Sequence, residues 1–124
     1  MSEALRGVVV CHGGLAKALV DAAESISGVT SVLQAVSNSG CDRETLERRV
    51  AEAVNGRPAV VFTDLASGSC LFAVLKHLRT LRDVKVVTGV NLAMLVDFVF
   101  HVSLDAEAAA EHAMAAGTKA IRNP

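Results

Sequence analysis

Two residues of this chain stand where chemistry is easiest to build, His12 and Asp64. His12 lies in Val8 to Val20, VVVCHGGLAKALV, where an apolar run stops at Cys11-His12-Gly13-Gly14 and a helical pattern begins. An imidazole on a strand-to-helix turn sits beyond the end of a buried strand, on backbone that two glycines let bend, beside free helix N–H groups able to meet an anion. Such a place suits a phosphorylatable histidine. Asp64 opens a comparable turn, Asp64 to Ser69, DLASGS, after another apolar run. A carboxylate accepting from one ring nitrogen fixes the tautomer, leaves the other nitrogen bare as a nucleophile, and offsets the charge of a phosphorylated ring. Gly13, Ser67, Gly68 and Ser69 can add backbone and hydroxyl donors for phosphoryl oxygens. On spacing alone the alternative stays open that Asp64 caps a helix and that His12 is an unrelated turn residue.

The other reactive side chains carry weaker signals. His77 and His112 fall within helical patterns among Lys76, Arg79 and Glu111, which reads as a solvated face. His101 follows Phe100 at a helix end, where the helix dipole or a loop contact accounts for it. Cys11 adjoins His12, but successive strand residues point to opposite faces, so it reads as a small buried hydrophobe. Cys70 opens a helix near the site, a setting in which a thiol pKa can be lowered. A metal centre needs more ligands than the turns supply with His12, Asp64 and Cys70, so neither metal nor cofactor is expected. The glycines match neither the dinucleotide fingerprint nor the phosphate-binding loop that ends in Gly-Lys-Ser/Thr.

Elements that would position these residues alternate along the chain. Gly7 to Cys11, Val29 to Val36, Ala59 to Thr63 and Val84 to Thr88 read as strands, and the uninterrupted apolar runs favour a parallel sheet covered on both faces. Helical spacing follows each: Leu15 to Ile26, a stretch capped by Asp42, Cys70 to Leu81, and Leu92 to Phe100, with Asp105 capping a last helix to Ala116 before Gly117. Thr118 to Pro124 is either a frayed turn or a short strand. The expected architecture is a single α/β domain, residues 1–124: a three-layer α/β/α sandwich on a four-stranded parallel sheet, in order 2-1-3-4 if the first and third strands are neighbours. In such a sheet the crevice beyond the strand ends, where the winding reverses, would bring His12 and Asp64 together.

Composition narrows the function. With 124 residues and 52% of them apolar, the chain can bury a sizeable core. A net charge of −1, no Trp or Tyr and only four Phe leave neither a basic field nor stacking platforms, which argues against nucleic acid as a partner. Met1 to Arg6, with Glu3 beside Arg6, lacks the features of a secretory signal, and no apolar run approaches the ~20 residues of a membrane span. Three widely spaced cysteines suit reduced thiols in a cytoplasmic protein.

Three blocks together carry a family resemblance: VVVCHGGLAKAL around His12, VVFTDLASGSCLFA around Asp64, and TGVNLAMLVDF from Thr88. In order and spacing the chain resembles the enzyme IIA component of the mannose (mannose/fructose/sorbose) family of the bacterial sugar phosphotransferase system. The resemblance implies that His12 takes a phosphoryl group from the phosphocarrier protein HPr and passes it to a IIB domain, that Asp64 orients it, and that Ser69 contacts the phosphoryl group. It further implies a cytoplasmic phosphotransferase associated with a IIC/IID permease, and a homodimer exchanging a short C-terminal strand, for which Thr118 to Arg122 is the candidate. Two departures stand out. Ser67-Gly68-Ser69-Cys70 replaces the family's Gly-Gly-Ser-Pro, and Ala93 stands where proline is common. A second function is compatible with the same histidine, that of a regulatory module whose phosphorylation state governs a protein partner without a dedicated permease.

Overall fold

The computed structural model describes residues 4–124, apart from Arg79 and the side chain of His77. The solvated face expected around His77 and Arg79, and the charged start at Glu3, therefore lie outside the described residues. Strands β1 (Arg6–Cys11), β2 (Leu33–Ser37), β3 (Ala59–Thr63) and β4 (Val84–Val87) form one sheet in the order β2-β1-β3-β4, every pair parallel. Helices α1 (Leu15–Ser27), α2 (Arg43–Val54), α3 (Ser69–Leu78), α4 (Leu92–Phe98) and α5 (Ala106–Lys119) complete the chain.

Side-chain alternation along β1 divides the interior. Val9 and Cys11 face one side and pack with Ala16, Val20, Leu95, Phe98 and Ala109, which belong to α1, α4 and α5. Val8 and Val10 face the other and pack with Leu46, Val50, Val54, Cys70 and Val74 from α2 and α3. A strand covered on both faces wants valine at every position, and Val8, Val9 and Val10 are wholly buried. Each such burial contributes about 1.5–3 kcal/mol before conformational entropy is subtracted. Phe62 of β3 meets Phe98 of α4 edge to face, with ring centroids 5.4 Å apart.

The helices start where their capping residues put them. Asp42, Asn91 and Asp105 each accept a hydrogen bond from the backbone N–H three residues on, at 2.9, 3.1 and 2.8 Å. Strand β2 begins later than its β-branched residues suggest, because Ser31 adopts a positive φ of 66° and the chain is still turning there. Helices α3 and α4 stop short of Leu81 and Phe100, with turn bonds from Leu81 N–H to Leu78 and from Phe100 N–H to Asp97. No helix among the described residues is long and apolar enough to cross a membrane.

The C-terminal end departs from expectation. Gly117 does not stop α5, which continues through Thr118 and Lys119, and residues 121–124 carry no strand. The candidate exchanged strand from Thr118 to Arg122 is thus partly the last turn of a helix. The reason lies in packing: the bare Cα of Gly117 receives Met94, and Asn91 Nδ2 donates to the Gly117 carbonyl at 3.1 Å. Met94 is accordingly a core residue. A Cβ at position 117 would stand 2.5 Å from Met94 Cγ and 3.1 Å from Asn91 Oδ1. Helix propensity alone favours Ala over Gly by roughly 1 kcal/mol. Overpacking should nevertheless win, so Gly117→Ala is expected to lower stability by about 1–3 kcal/mol. Urea denaturation measures this, and a raised midpoint would mean that Met94 gives way freely.

Candidate functional site

Strand β1 is flanked by β2 on one side and β3 on the other, so the winding reverses between β1 and β3 and leaves a crevice beyond their carboxyl ends. His12 follows β1 and Asp64 follows β3, and the register pairing Val10 with Thr63 brings the two turns side by side. The Asp64 carboxylate takes two N–H groups of one residue. The His12 backbone N–H donates to Oδ2 at 2.9 Å, and ring Nδ1 lies 2.9 Å from Oδ2 and 3.2 Å from Oδ1. An ionised carboxylate only accepts, so Nδ1 carries a hydrogen, and in the neutral ring Nε2 holds the lone pair. The His12 side chain is 40% exposed while Asp64 is 11% exposed, which puts the nucleophilic edge toward solvent and the anchor inside. Burial, the largest influence on Asp64, pushes its pKa up, but the His12 N–H, ring hydrogen bond and imidazolium charge together hold it below the ordinary carboxylate value.

The turn under His12 is held from β2. Gly13, at a φ of 60°, gives its N–H to Asn38 Oδ1 at 3.0 Å, and its carbonyl accepts from Ser37 Oγ at 2.7 Å. Arg49 of α2 in turn donates to the Ser37 and Ser39 carbonyls at 3.0 and 3.2 Å. Ser37 and Asn38, where β2 gives way to its loop, are not among the residues that the sequence singles out. The signal was the parallel order itself, which obliges the loop after β2 to lie beside the loop after β1. No side chain caps α1, and although the Leu15 N–H turns back to the His12 carbonyl at 3.4 Å, the later N–H groups of its first turn lie near His12 to meet an anion.

Gly68 borders the other edge of the ring. Its φ is 97°, and a Cβ built there would stand 3.8 Å from both Nε2 and Cε1 of His12, so glycine supplies the backbone shape and leaves the nucleophile open. Ser67 and Ser69 are exposed on the same loop, with Ser69 as the first residue of α3. Leu15, Leu65 and Phe72 add an exposed apolar rim, with the Arg43 guanidinium 4.4 Å above the Phe72 ring. Asn91 and Leu92 are half-buried, and Met94 lies in the core.

Both buried cysteines behave as hydrophobes. Cys70 Sγ lies 3.7 Å from His12 Nδ1, yet burial first and the Asp64 charge second push its thiol up to about 11, opposite to the lowering that a helix start can produce. Burial likewise pushes Cys11 up to about 12. Donor atoms of His12, Asp64 and Cys70 lie within 4.8 Å of one another, but a cation there would have to displace the Nδ1–H···Asp64 bond that sets the ring. Away from this site, His101 and His112 both meet Asp97.

Comparison with known proteins follows the same lines. The family model EIIA-man, described as PTS system fructose IIA component, matches residues 7–115. Among curated proteins none matches. The phosphotransferase system component EIIA from Streptococcus agalactiae is similar in fold, with a TM-score of 0.87 at 18% identity and coverage of 96% of each chain. The mannose/sorbose specific IIA subunit from Enterococcus faecalis gives 0.84 at 17% identity, covering 98% of this chain and 96% of that one. A sigma-54 interaction domain protein from Enterococcus faecalis gives 0.76 at 15% identity, again over 98% and 96%.

The lowered Asp64 pKa has a thermodynamic consequence. A carboxylate depressed on folding contributes stability that is present above its unfolded pKa of about 3.9 and is lost as pH falls through the folded value. Denaturant midpoints measured from pH 7 down to 3 should therefore fall more steeply for the native chain than for Asp64→Asn. Equal slopes would mean that the His12–Asp64 contact contributes nothing to the fold.

Proposed function

The chain belongs to the EIIA-man family of sugar phosphotransferase-system components, and on that premise we propose that it is a cytoplasmic phosphoryl relay, taking its phosphoryl group from phospho-HPr on His12 and yielding it to a IIB domain. The observation that carries this reading is the double hold of Asp64 on His12, with Nε2 left bare on an exposed ring. In the transfer, the Nε2 lone pair forms a bond to phosphorus while the donor's nitrogen–phosphorus bond breaks and its electron pair returns to the donor imidazole. Nδ1 keeps its hydrogen throughout, and the product ring bears positive charge. The Asp64 carboxylate, 2.9 Å away, offsets that charge where it develops. The uncapped start of α1 and the Gly68–Ser69 backbone offer N–H groups to the phosphoryl oxygens, with the Ser67 and Ser69 hydroxyls beside them.

A relay histidine meets two proteins in turn, so it needs a surface that both can cover. Leu15, Leu65 and Phe72, on the α1 start, the Asp64 loop and the first turn of α3, add exposed apolar area suited to brief encounters. Association with a IIC/IID permease and assembly as a homodimer belong to the same reading, and the sugar is chosen by the membrane components. A regulatory role is the second reading, favoured by the likeness to a sigma-54 interaction domain protein. In that case His12 is phosphorylated but has no IIB acceptor.

Incubation with phosphoenolpyruvate, enzyme I and HPr should give acid-labile phosphate on His12. His12→Ala should abolish the label with the circular dichroism spectrum unchanged, since a turn residue contributes little core. Asp64→Asn should slow transfer by more than about tenfold, because an amide neither fixes the tautomer nor offsets charge. Label found on another histidine would overturn the relay, and phosphorylation without onward transfer to any IIB domain would select the regulatory role.

A further inference from the structure

Gly13 and Gly14 separate His12 from the first turn of α1. Both are exposed, and a Cβ added at either would meet no atom beyond its chain neighbours within 4 Å, so side-chain packing does not restrain this turn. Glycine has the largest backbone freedom of any residue, and an unrestrained pair would let the His12 ring and the helix start move independently. Hydrogen bonds from the end of β2 supply the restraint. Asn38 Oδ1 accepts the Gly13 N–H at 3.0 Å and Ser37 Oγ donates to the Gly13 carbonyl at 2.7 Å, so the peptide groups on both sides of the Gly13 Cα are held. The Ser37 hydroxyl is itself oriented, because its oxygen accepts the Ser39 N–H at 3.0 Å and its one hydrogen is left for Gly13. Arg49 Nη1 completes the set from α2 by donating to the Ser37 and Ser39 carbonyls at 3.0 and 3.2 Å.

We propose that Ser37 and Asn38, backed by Arg49, are positioning residues for phosphoryl transfer at His12. The inference rests on the relay reading of His12 and deepens it. Transfer needs Nε2 and the donors for the phosphoryl oxygens in register before the donor's nitrogen–phosphorus bond breaks, and reorganisation at that moment slows the step. Asp64 fixes the His12 end of the turn from β3, through the His12 N–H and Nδ1. Ser37 and Asn38 fix the Gly13 end from β2, so the reacting residue is held from the strands on both sides of β1. Both act through the Gly13 backbone rather than through the ring, and Asp64 keeps the tautomer without them. The Gly13 N–H is thereby committed to Asn38, which leaves the phosphoryl oxygens to the N–H groups beyond it and to the Ser67–Ser69 loop.

Rapid-quench transfer from phospho-HPr to the intact chain separates the step from the encounter. Ser37→Ala and Asn38→Ala should each lower the rate at saturating phospho-HPr by roughly tenfold or more, with the KM for phospho-HPr within about twofold of native. Ser37→Thr, which keeps the hydroxyl, should restore most of the rate, and Arg49→Ala should lose less than either alanine variant. The cause is visible without turnover: hydrogen exchange at the Gly13 amide should quicken at least about tenfold in Asn38→Ala. In the same variant, long-range nitrogen–proton spectra should still report hydrogen on His12 Nδ1, with a native circular dichroism spectrum. Unchanged transfer in both alanine variants, beside a native chain that is phosphorylated, would overturn this proposal and leave the relay reading standing. A loss of rate through KM alone, or an equal loss in Ser37→Thr, would overturn it too. A native chain that takes no phosphoryl group from phospho-HPr would overturn the relay reading, and this proposal with it.

Discussion

One carboxylate holds the functional end of this molecule together. Asp64 spans the gap between the ends of β1 and β3, where no ladder bonds remain, and takes the backbone and the ring of His12 at once. The backbone bond fixes where the residue is and the ring bond fixes which nitrogen faces out, so position and tautomer come from a single side chain. Removing it would free both. The rest of the fold serves that contact. Thr63, wholly buried, gives its hydroxyl to the Leu65 carbonyl at 3.0 Å and steadies the aspartate turn, while Arg49, Ser37 and Asn38 steady the histidine turn from the other side.

The sheet's topology explains why two residues 52 positions apart meet. A parallel strand pair needs a covering helix between its members, so the crossovers place α1, α4 and α5 over one face and α2 and α3 over the other. Functional groups are then left to the loops at the carboxyl edge. The amino edge is usually quiet. In this chain it carries the Asp97 cluster, which joins the end of α4 to α5 through side chains rather than through the backbone.

The strands, the caps and the pairing of His12 with Asp64 were legible in the sequence because each rests on local chemistry: continuous valines, an aspartate or asparagine at a helix start, a histidine on a glycine turn. What escaped the sequence depends on who sits opposite. Gly117 has the residue type of a helix end, and only the arrival of Met94 and Asn91 makes it an interior position. Cys70 stands at a helix start, where a thiol can be acidified, but enclosure by the α2–α3 layer and the nearby Asp64 reverse the direction. His112 read as part of a solvated helix face and His101 as a helix-end residue accounted for by the dipole or a loop contact, and Asp97 at four residues before His101 was the one local hint. Ser31 shows the same limit on a small scale, since a positive φ in a β-branched stretch leaves no mark in periodicity.

The burial of two sulfurs beside the crevice bears on how the protein can be handled chemically. Cys11 and Cys70 are enclosed and held protonated, whereas Cys41 is half-exposed and donates to the Asn38 carbonyl at 3.3 Å, on the loop that supports Gly13. Electrophiles react with accessible thiolates. A maleimide fluorophore added to the folded chain therefore finds a single address, Cys41, without any cysteine having been engineered, and sits within reach of the turn that carries His12. Its emission would report partner arrival at that edge of the sheet in real time, turning an accident of packing into a built-in point of attachment.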